Sequence, residues 1–319
     1  MRERELKDWL GGLNRLTAAQ REQLRQRLES VASLDEVSAA LQRRRSSHPG
    51  CPHCRSLGVV RNGHADGLQR YRCRTCRRSF NALTGTPLAR LRQRDKWWVQ
   101  AQVLELGLSV RKAARHLGVH RTTAFRWRHR FLALPRALKA QALQGVAEAD
   151  ETYELRSFKG QPQRLGQQSR AARKRGGHAA RRGLSDEHVP VLVLRDRSGA
   201  TTDYVLPHNS KAAVVQVLPQ ALACDTLLCT DGSSMLAAAA RALNIEHHAL
   251  NTLKGERRRG AWHIQNVNAY HSRLKTWMRR FNGVATSYLE NYLGWFRALD
   301  RSTQSGTHPT PFLCLALGV

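Results

Sequence analysis

The apolar positions along this chain change period more than once, and each change marks a region. Across residues 1–45 they recur at three- and four-residue steps. Leu24, Leu28 and Val31 form one stripe, with Arg and Glu elsewhere, which predicts helix. Thr17 with Gln20 and Ser33 with Glu36 each fit a capping box, the mark of a helix start. The segment reads as a small helical packing unit or as a DNA-contacting arm. From Trp97 the helical period returns, with Trp98, Val99, Val103 and Leu104 on a first helix. Ala113, Ala114, Leu117 and Val119 then face inward, Gly118 supplies a turn, and a basic stretch with Ala124, Phe125 and Trp127 as packing residues follows. Two short helices with a glycine turn predict a helix-turn-helix over 95–132. Leu134–Ala142, with Pro135, reads as a linker.

After the linker, short apolar runs alternate with helical ones. Strands are expected at Gly145–Tyr153, Val189–Leu194, Thr201–Leu206, Thr226–Thr230 and Glu246–Ala249. Helices are expected at Ser210–Ala223, Ser234–Ala242, Gln265–Phe281 and Ser287–Asp300. Three strands, then helix and strand in alternation, is an α/β plan. The expected regions are a helical segment at 1–45, a cysteine-bearing module at 46–90, the helix-turn-helix at 91–134 and an α/β domain at 143–303. A polar insertion at 156–185 interrupts the last. Between Arg156 and Arg182 it has nine Lys or Arg and no acid, which suits a loop that orders on DNA. The C-terminal stretch QSGTHPTPFLCLALGV gives no clear pattern.

Charge names the partner class. The 319 residues carry a formal net charge of +29 and a pI near 11.3. Such an excess favours a polyanion, because each neutralised phosphate releases counterions. No apolar run approaches the roughly 20 residues that span a bilayer, and the start MRERELKDWL has no apolar signal core. A cytoplasmic, nucleoid-associated protein is expected, so its seven cysteines are thiols or metal ligands rather than disulfides.

Four of those cysteines form CPHC and CRTC, which are Cys51, Cys54, Cys73 and Cys76, with eighteen residues between the pairs. Two such knuckles complete a tetrahedral Zn²⁺ site, and zinc would fold a segment so poor in aliphatics. His53 and His64 are not needed as ligands. Arg61, Arg70, Arg72, Arg74, Arg77 and Arg78 surround the knuckles with Tyr71 and Phe80, which suits DNA. In the second, basic helix of the helix-turn-helix, Arg121, Thr122, Thr123, Arg126, Arg128 and Arg130 are the candidate DNA contacts.

The α/β domain carries the candidate catalysis. Asp150 lies within the first strand. Asp231 ends the fourth, where strand-to-helix loops of α/β sheets carry active residues. Asn268 and Lys275 are two helical turns apart and share a face. Two carboxylates and a third oxygen ligand can hold divalent metal for phosphoryl transfer, and Lys275 can contact phosphate. Glu148 and Glu151 flank Asp150 and are expected on the opposite face. His271 is a neighbour rather than a ligand. Glu290 belongs to a later helix, and Cys224, Cys229 and Cys314 are expected as core thiols.

Together CPHC…CRTC with RYRCRTCRRSF, EADETY, LLCTDG and HIQNVNAYHSRLKTWMRRFNGVATSYLENYL resemble the bacterial insertion-sequence transposases that join a zinc ribbon to an ISXO-type DDE domain. The matching stretches span most of residues 50–300. The resemblance implies an RNase H-like catalytic domain with Asp150, Asp231, Asn268 and Lys275 around Mg²⁺ or Mn²⁺. The interval from Asp231 to Asn268, 37 residues, fits that family. It also implies double-stranded DNA as partner and a homo-oligomer, commonly a dimer, on the two element ends. Two departures stand out. Asn268 is neutral where a carboxylate is commoner, and ELRSFKG replaces a Gly-rich tail after the first strand motif. The rival readings are a non-catalytic DNA-binding regulator and a nuclease without joining activity.

Overall fold

The computed structural model describes residues 2–161, 177–180, 182–251, 255–302 and 309–318. The chain divides into two compact units, Met1–Phe131 with His308–Val319, and Leu132–Thr307.

The first unit opens with helix α1 (Glu3–Gly11), a 3-10 turn (Gly12–Arg15) and a long helix α2 (Ala18–Ser47). Thr17 starts α2 as expected. Its hydroxyl accepts the Gln20 N–H, and the Gln20 side chain accepts the Thr17 N–H at 2.9 Å. Ser33 and Glu36 start nothing, because α2 runs unbroken past both. Val37 and Leu41 of α2 are buried in the core, while Leu28 and Val31 are exposed. Strands β1 (Val59–Ala65), β2 (Leu68–Cys73) and β3 (Ser79–Asn81) form an antiparallel sheet in that order. Its core holds little beyond Cys51, Cys73 and Phe80.

Helices α3 (Trp97–Glu105), α4 (Val110–Leu117) and α5 (Arg121–Phe131) follow. They close on Val103, Ala113, Ala114, Leu117, Ala124 and Trp127, nearly the residues that the periodicity selected. Gly118 ends α4 at φ +58°, a left-handed conformation that glycine adopts without a Cβ penalty. The uninformative C-terminus is a helix, Pro309–Leu317 (α11), packed on α3, α2 and α5. Phe312, Leu313, Ala316 and Leu317 bury its apolar face, and Arg44 donates to the Leu317 carbonyl at 3.2 Å.

In the second unit the expected linker begins with a short helix, α6 (Ala133–Ala137). Pro135 is buried within its first turn, where a missing N–H breaks no helical bond. Strands β4 (Val146–Leu155), β5 (His188–Asp196) and β6 (Thr201–Val205) come next, then α7 (Lys211–Ala221), β7 (Leu227–Thr230), α8 (Ser234–Ala242) and β8 (His247–Ala249). A two-residue hairpin, β9 (Arg258–Arg259) and β10 (Trp262–His263), leads into α9 (Gln265–Arg279) and α10 (Leu289–Ser302). The main sheet has the order β6-β5-β4-β7-β8. β4 is antiparallel to β5 and β5 to β6; β4, β7 and β8 run parallel. All five expected strands are present. The basic insertion lies largely outside the described residues. Among the described residues no helix is long and apolar enough to cross a membrane.

Alternation on β4 divides its side chains between two layers. Ala147 and Ala149 join Leu192, Leu194, Val214, Leu218, Leu236 and Ala240 under α7 and α8. Glu148 and Asp150 face α9. Behind α9, Trp277 and Phe281 pack edge-on and tilted against Tyr292, Trp295 and Phe296 of α10. Arg297 of α10, almost fully buried, pairs with Asp203 of β6 and donates to the Pro135 and Arg136 carbonyls, closing the end of α6.

Contact between α10 and α6 is backbone-close. A Cβ on Gly294 would stand 2.5 Å from the Arg136 Cα and 2.7 Å from the Pro135 carbonyl oxygen. Gly294→Ala should therefore destabilise the chain by at least about 1–3 kcal/mol through overpacking, even though alanine favours helix. Urea unfolding of both proteins measures it, and equal midpoints would show that the helices separate freely.

Candidate active site

β7 is short, and the site follows from that. Its pairing with β4 ends at Ala149 opposite Thr230, whereas β4 continues to Leu155. Past Thr230 the chain turns through Asp231 and Gly232. Gly232 has φ +85°, and a Cβ there would meet the Leu250 carbonyl oxygen at 3.0 Å, so the turn calls for glycine. A notch is left beside β4 at the C-terminal end of β7. Asp150 and Asp231 meet there, as the sequence led us to expect.

Glu151 meets them too. Its side chain starts on the other face of β4, yet it reaches around the open edge, and carboxylate oxygens of Asp150, Glu151 and Asp231 lie within 4.8 Å of one another. The Glu151 N–H donates to Asp150 Oδ1 at 2.9 Å, and the Ser233 N–H donates to Asp231 Oδ1 at 3.0 Å. The Ser233 hydroxyl also reaches Glu151 Oε1 at 3.5 Å. Burial, then the charges of Asp150 and Asp231, push the Glu151 carboxyl up to about 7. Burial, with Asp150 adding to it, raises Asp231 as well. Beside the cluster, burial and the same carboxylates hold the Tyr153 phenol up at about 12, with its oxygen accepting from Asn209 at 2.7 Å.

Glu148 is the other correction. Two residues before Asp150, it shares that residue's face rather than the opposite one. It is fully buried, pairs with Arg197, lies 3.3 Å from His263, and accepts the Val267 N–H at 2.9 Å. Val267 is in the first turn of α9, whose leading residue Ile264 offers no side-chain cap. A strand carboxylate thus takes the place of a cap at a helix N-terminus, where negative charge is favoured.

Anchored there, α9 runs beside β4 with its residues in step. His271 Nδ1 lies 3.4 Å from Asp150 Oδ2 and the ring is buried. Lys275 is exposed and lies near Glu154, whose carboxyl burial raises to about 7 against the pull of that ammonium. Asn268 is exposed at the start of the same face. The residue of α9 that touches Asp150 is therefore His271, a neighbour in the sequence reading. Glu290 instead pairs with Arg136 at 2.6 Å. Of the three expected core thiols, Cys229 is buried, Cys314 half-buried and Cys224 exposed.

In the first unit the four knuckle cysteines bring their sulfurs within 4.8 Å of one another. Cys51 and Cys76 stand 3.7 Å apart, Cys54 and Cys73 3.6 Å. A tetrahedron with metal–sulfur bonds of about 2.3 Å has edges of about 3.8 Å, so the spacing matches zinc. Backbone N–H groups of His53 and Cys76 point at the Cys51 and Cys73 sulfurs. The Cys76 N–H, above all, holds the Cys73 thiol down at about 6. The donor set is compatible with Zn²⁺, as the carboxylates are with a divalent cation.

On α5, Arg121, Thr122 and Arg126 are exposed and Thr123 is half-buried. Arg128 is not on that surface. It is buried and donates to the Leu108 carbonyl at 2.5 Å. Arg130 turns back to the carbonyls of Pro87 and Ala89. Both arginines act as braces for neighbouring loops.

Residues 142–297 match the ISXO2-like transposase domain, and residues 90–149 match a homeodomain-like domain. A protein of Halobacterium salinarum, described as an uncharacterized protein in transposable element ISH50, is 29% identical over 255 residues, 77% of this chain and 83% of that protein. The chain is an insertion-sequence transposase with an ISXO2-like transposase domain. Helix-turn-helix and transposase domains together imply DNA as this transposase's partner.

The carboxylate cluster has a pH signature. In the folded transposase the Glu151 carboxyl stands at about 7, above its ordinary 4.5, so folding favours the protonated form. That contribution is present at low pH and is lost as pH rises through 7. Metal-free protein should lose stability between pH 5 and 8, and Glu151→Gln should flatten the slope. Parallel curves in urea unfolding would remove Glu151 from the cluster.

Proposed function

We propose that this transposase binds the terminal inverted repeats of its own element, cleaves phosphodiesters at the ends and joins the 3′-hydroxyls to target DNA. The observation that carries the reading is the notch beside β4, where three carboxylates gather at the open end of a mixed sheet in a strongly basic chain. The strand order and directions support an RNase H-like domain. Carboxylates packed this closely repel unless a proton or a cation lies between them, and their raised protonation favours a divalent ion as natural occupant.

Asp150 and Asp231 would hold Mg²⁺ or Mn²⁺, with Asn268 as a further oxygen ligand and Glu151 as an addition to the set. When bound, the metal supplies charge neutralisation for the phosphodiester and its entering and leaving oxygens. His271 fixes the orientation of Asp150, and Glu148 fixes the helix that carries His271, Asn268 and Lys275. Lys275, drawn between Glu154 and solvent, is available to a DNA phosphate. The same constellation serves both reactions, first with water as nucleophile and then with a 3′-hydroxyl.

DNA would be gripped by the first unit. Cys51, Cys54, Cys73 and Cys76 would hold a structural Zn²⁺ as a zinc ribbon, presenting exposed Arg61, Arg72, Arg74, Arg77 and Arg78. Arg121, Thr122, Thr123 and Arg126 would enter the major groove. Two ends call for two copies, so a dimer is the working form.

The decisive experiment is strand transfer with Mg²⁺ or Mn²⁺ and element-end DNA. Wild type should give joined products. Asp150→Asn should lose cleavage and joining by at least a hundredfold while still binding the ends. Unchanged activity would sink the site. Cleaved ends without joined products would point to a nuclease, and end binding without either to a regulator.

For the zinc module, Cys73→Ser should lower bound zinc from one equivalent per chain and unfold the β1–β3 sheet, which has too few apolar side chains to stand alone. Metal analysis with circular dichroism checks it. Full zinc in the variant would refute the four-cysteine site.

A further inference from the structure

Residues 1–36 hold seven Lys or Arg and seven Asp or Glu, so they carry no net charge in a chain of +29. They also show more apolar surface than their structure explains. α1 is nine residues long and none of them is buried. Its Leu6, Trp9 and Leu10 make one stripe, with Trp9 at 44% and Leu10 at 47% exposure. On α2, Leu24, Leu28 and Val31 follow the four-then-three spacing of a helix seam, and Leu28 is 56% and Val31 47% exposed. A groove of about 960 Å³ lies beside them, lined by Trp9, Leu13, Leu16, Leu24, Trp98 and Val99. A nine-residue helix is not stable in water by its own hydrogen bonds, so α1 needs cover.

We propose that this face joins two copies of the chain, α1 and α2 of one against α1 and α2 of the other. The argument is electrostatic. Two chains of +29 repel wherever their basic surfaces meet, so a contact between copies belongs where net charge vanishes. DNA is drawn to the opposite kind of surface. The face also brings no uncompensated charge to a contact: on α2, Arg25 is already paired with Glu22, at 2.6 Å, and with Glu29. A two-fold axis then closes the Leu–Val seam of one copy on that of the other. Leu28 and Val31 are side chains that the first unit itself does not need buried, so replacing them tests association and not folding.

The inference rests on the proposed function only in giving the dimer a task, since two element ends need two copies. The test is the mass of the nuclease-treated full-length chain by sedimentation at about 10–50 µM, at low and high salt, with element-end DNA binding measured separately. Wild type should sediment as a dimer at both salts, because an apolar seam is not screened. Leu28→Glu with Val31→Glu should move it to the monomer mass, with an unchanged circular dichroism spectrum and unchanged binding to a single end. A monomeric wild type, a dimer that dissociates in salt, or a double variant that stays dimeric would each overturn the proposal. Loss of end binding by wild type would instead count against the functional reading.

Discussion

The carboxylate of Glu148 is the point on which the second unit turns. It is fully buried in the middle strand, and a bare charge there would be costly. Two groups from two places answer it, Arg197 from the turn after β5 and the first-turn N–H of Val267, with His263 at the end of β10 packed 3.3 Å away. The strand, the turn and the last crossover are thereby fixed to one pair of oxygens. The turn and the crossover alone are short, weakly determined elements; β10 has only two residues. With α9 fixed at its start, its phase against β4 is fixed as well. That phase puts His271 against Asp150 and Lys275 near Glu154.

A second constraint works with it. β7 ends early, so β4 has an open edge for its last residues, and side chains from both of its faces can reach the same notch. Sheet alternation normally keeps neighbours apart. Here Asp150 and Glu151 meet because no strand stands between them. The result is a concentration of negative charge in a chain whose net charge is strongly positive. Phosphate is drawn to the chain as a whole, while the notch itself favours a cation. In the proposed reaction a cation held by these carboxylates would reconcile the two preferences and let a phosphate approach the notch.

Much of this was legible in the sequence. The five strands, the helices between them, the helix-turn-helix and the cysteine knuckles all announce themselves by period and spacing. Asp231 is legible at the end of a strand, and Asp150 as a carboxylate inside one. Glu151 was not, since alternation argues it away and only the length of β7 brings it back; the run Asp150-Glu151 beside a four-residue partner strand was the available signal. Helix phase puts His271 with Asn268 and Lys275 equally, and only the anchor at Glu148 decides which of them turns inward. Arg128 departs from its expected place for a related reason, and Arg130, though exposed, is engaged by the Pro87 and Ala89 carbonyls. Charge says that a residue is basic, not whether a carbonyl already holds it. The α11 helix carries apolar residues all round, so its place on α3 is a matter of packing that local pattern does not encode.

The arginines bear on how the net charge should be read. Arg195 and Arg273 meet at Asp300, Arg197 holds Glu148, and Arg297 holds Asp203. These pairs take acids as well as bases out of the surface count. Acids are the scarcer group, 24 against 53, so each internal pair leaves the outside proportionately more basic. The surface that DNA meets is therefore more one-sided than the formal charge suggests. A neutral stretch at residues 1–36 stands out more sharply for it. Whatever that stretch contacts is chosen by shape and apolar area, in a chain whose remaining surface selects by charge.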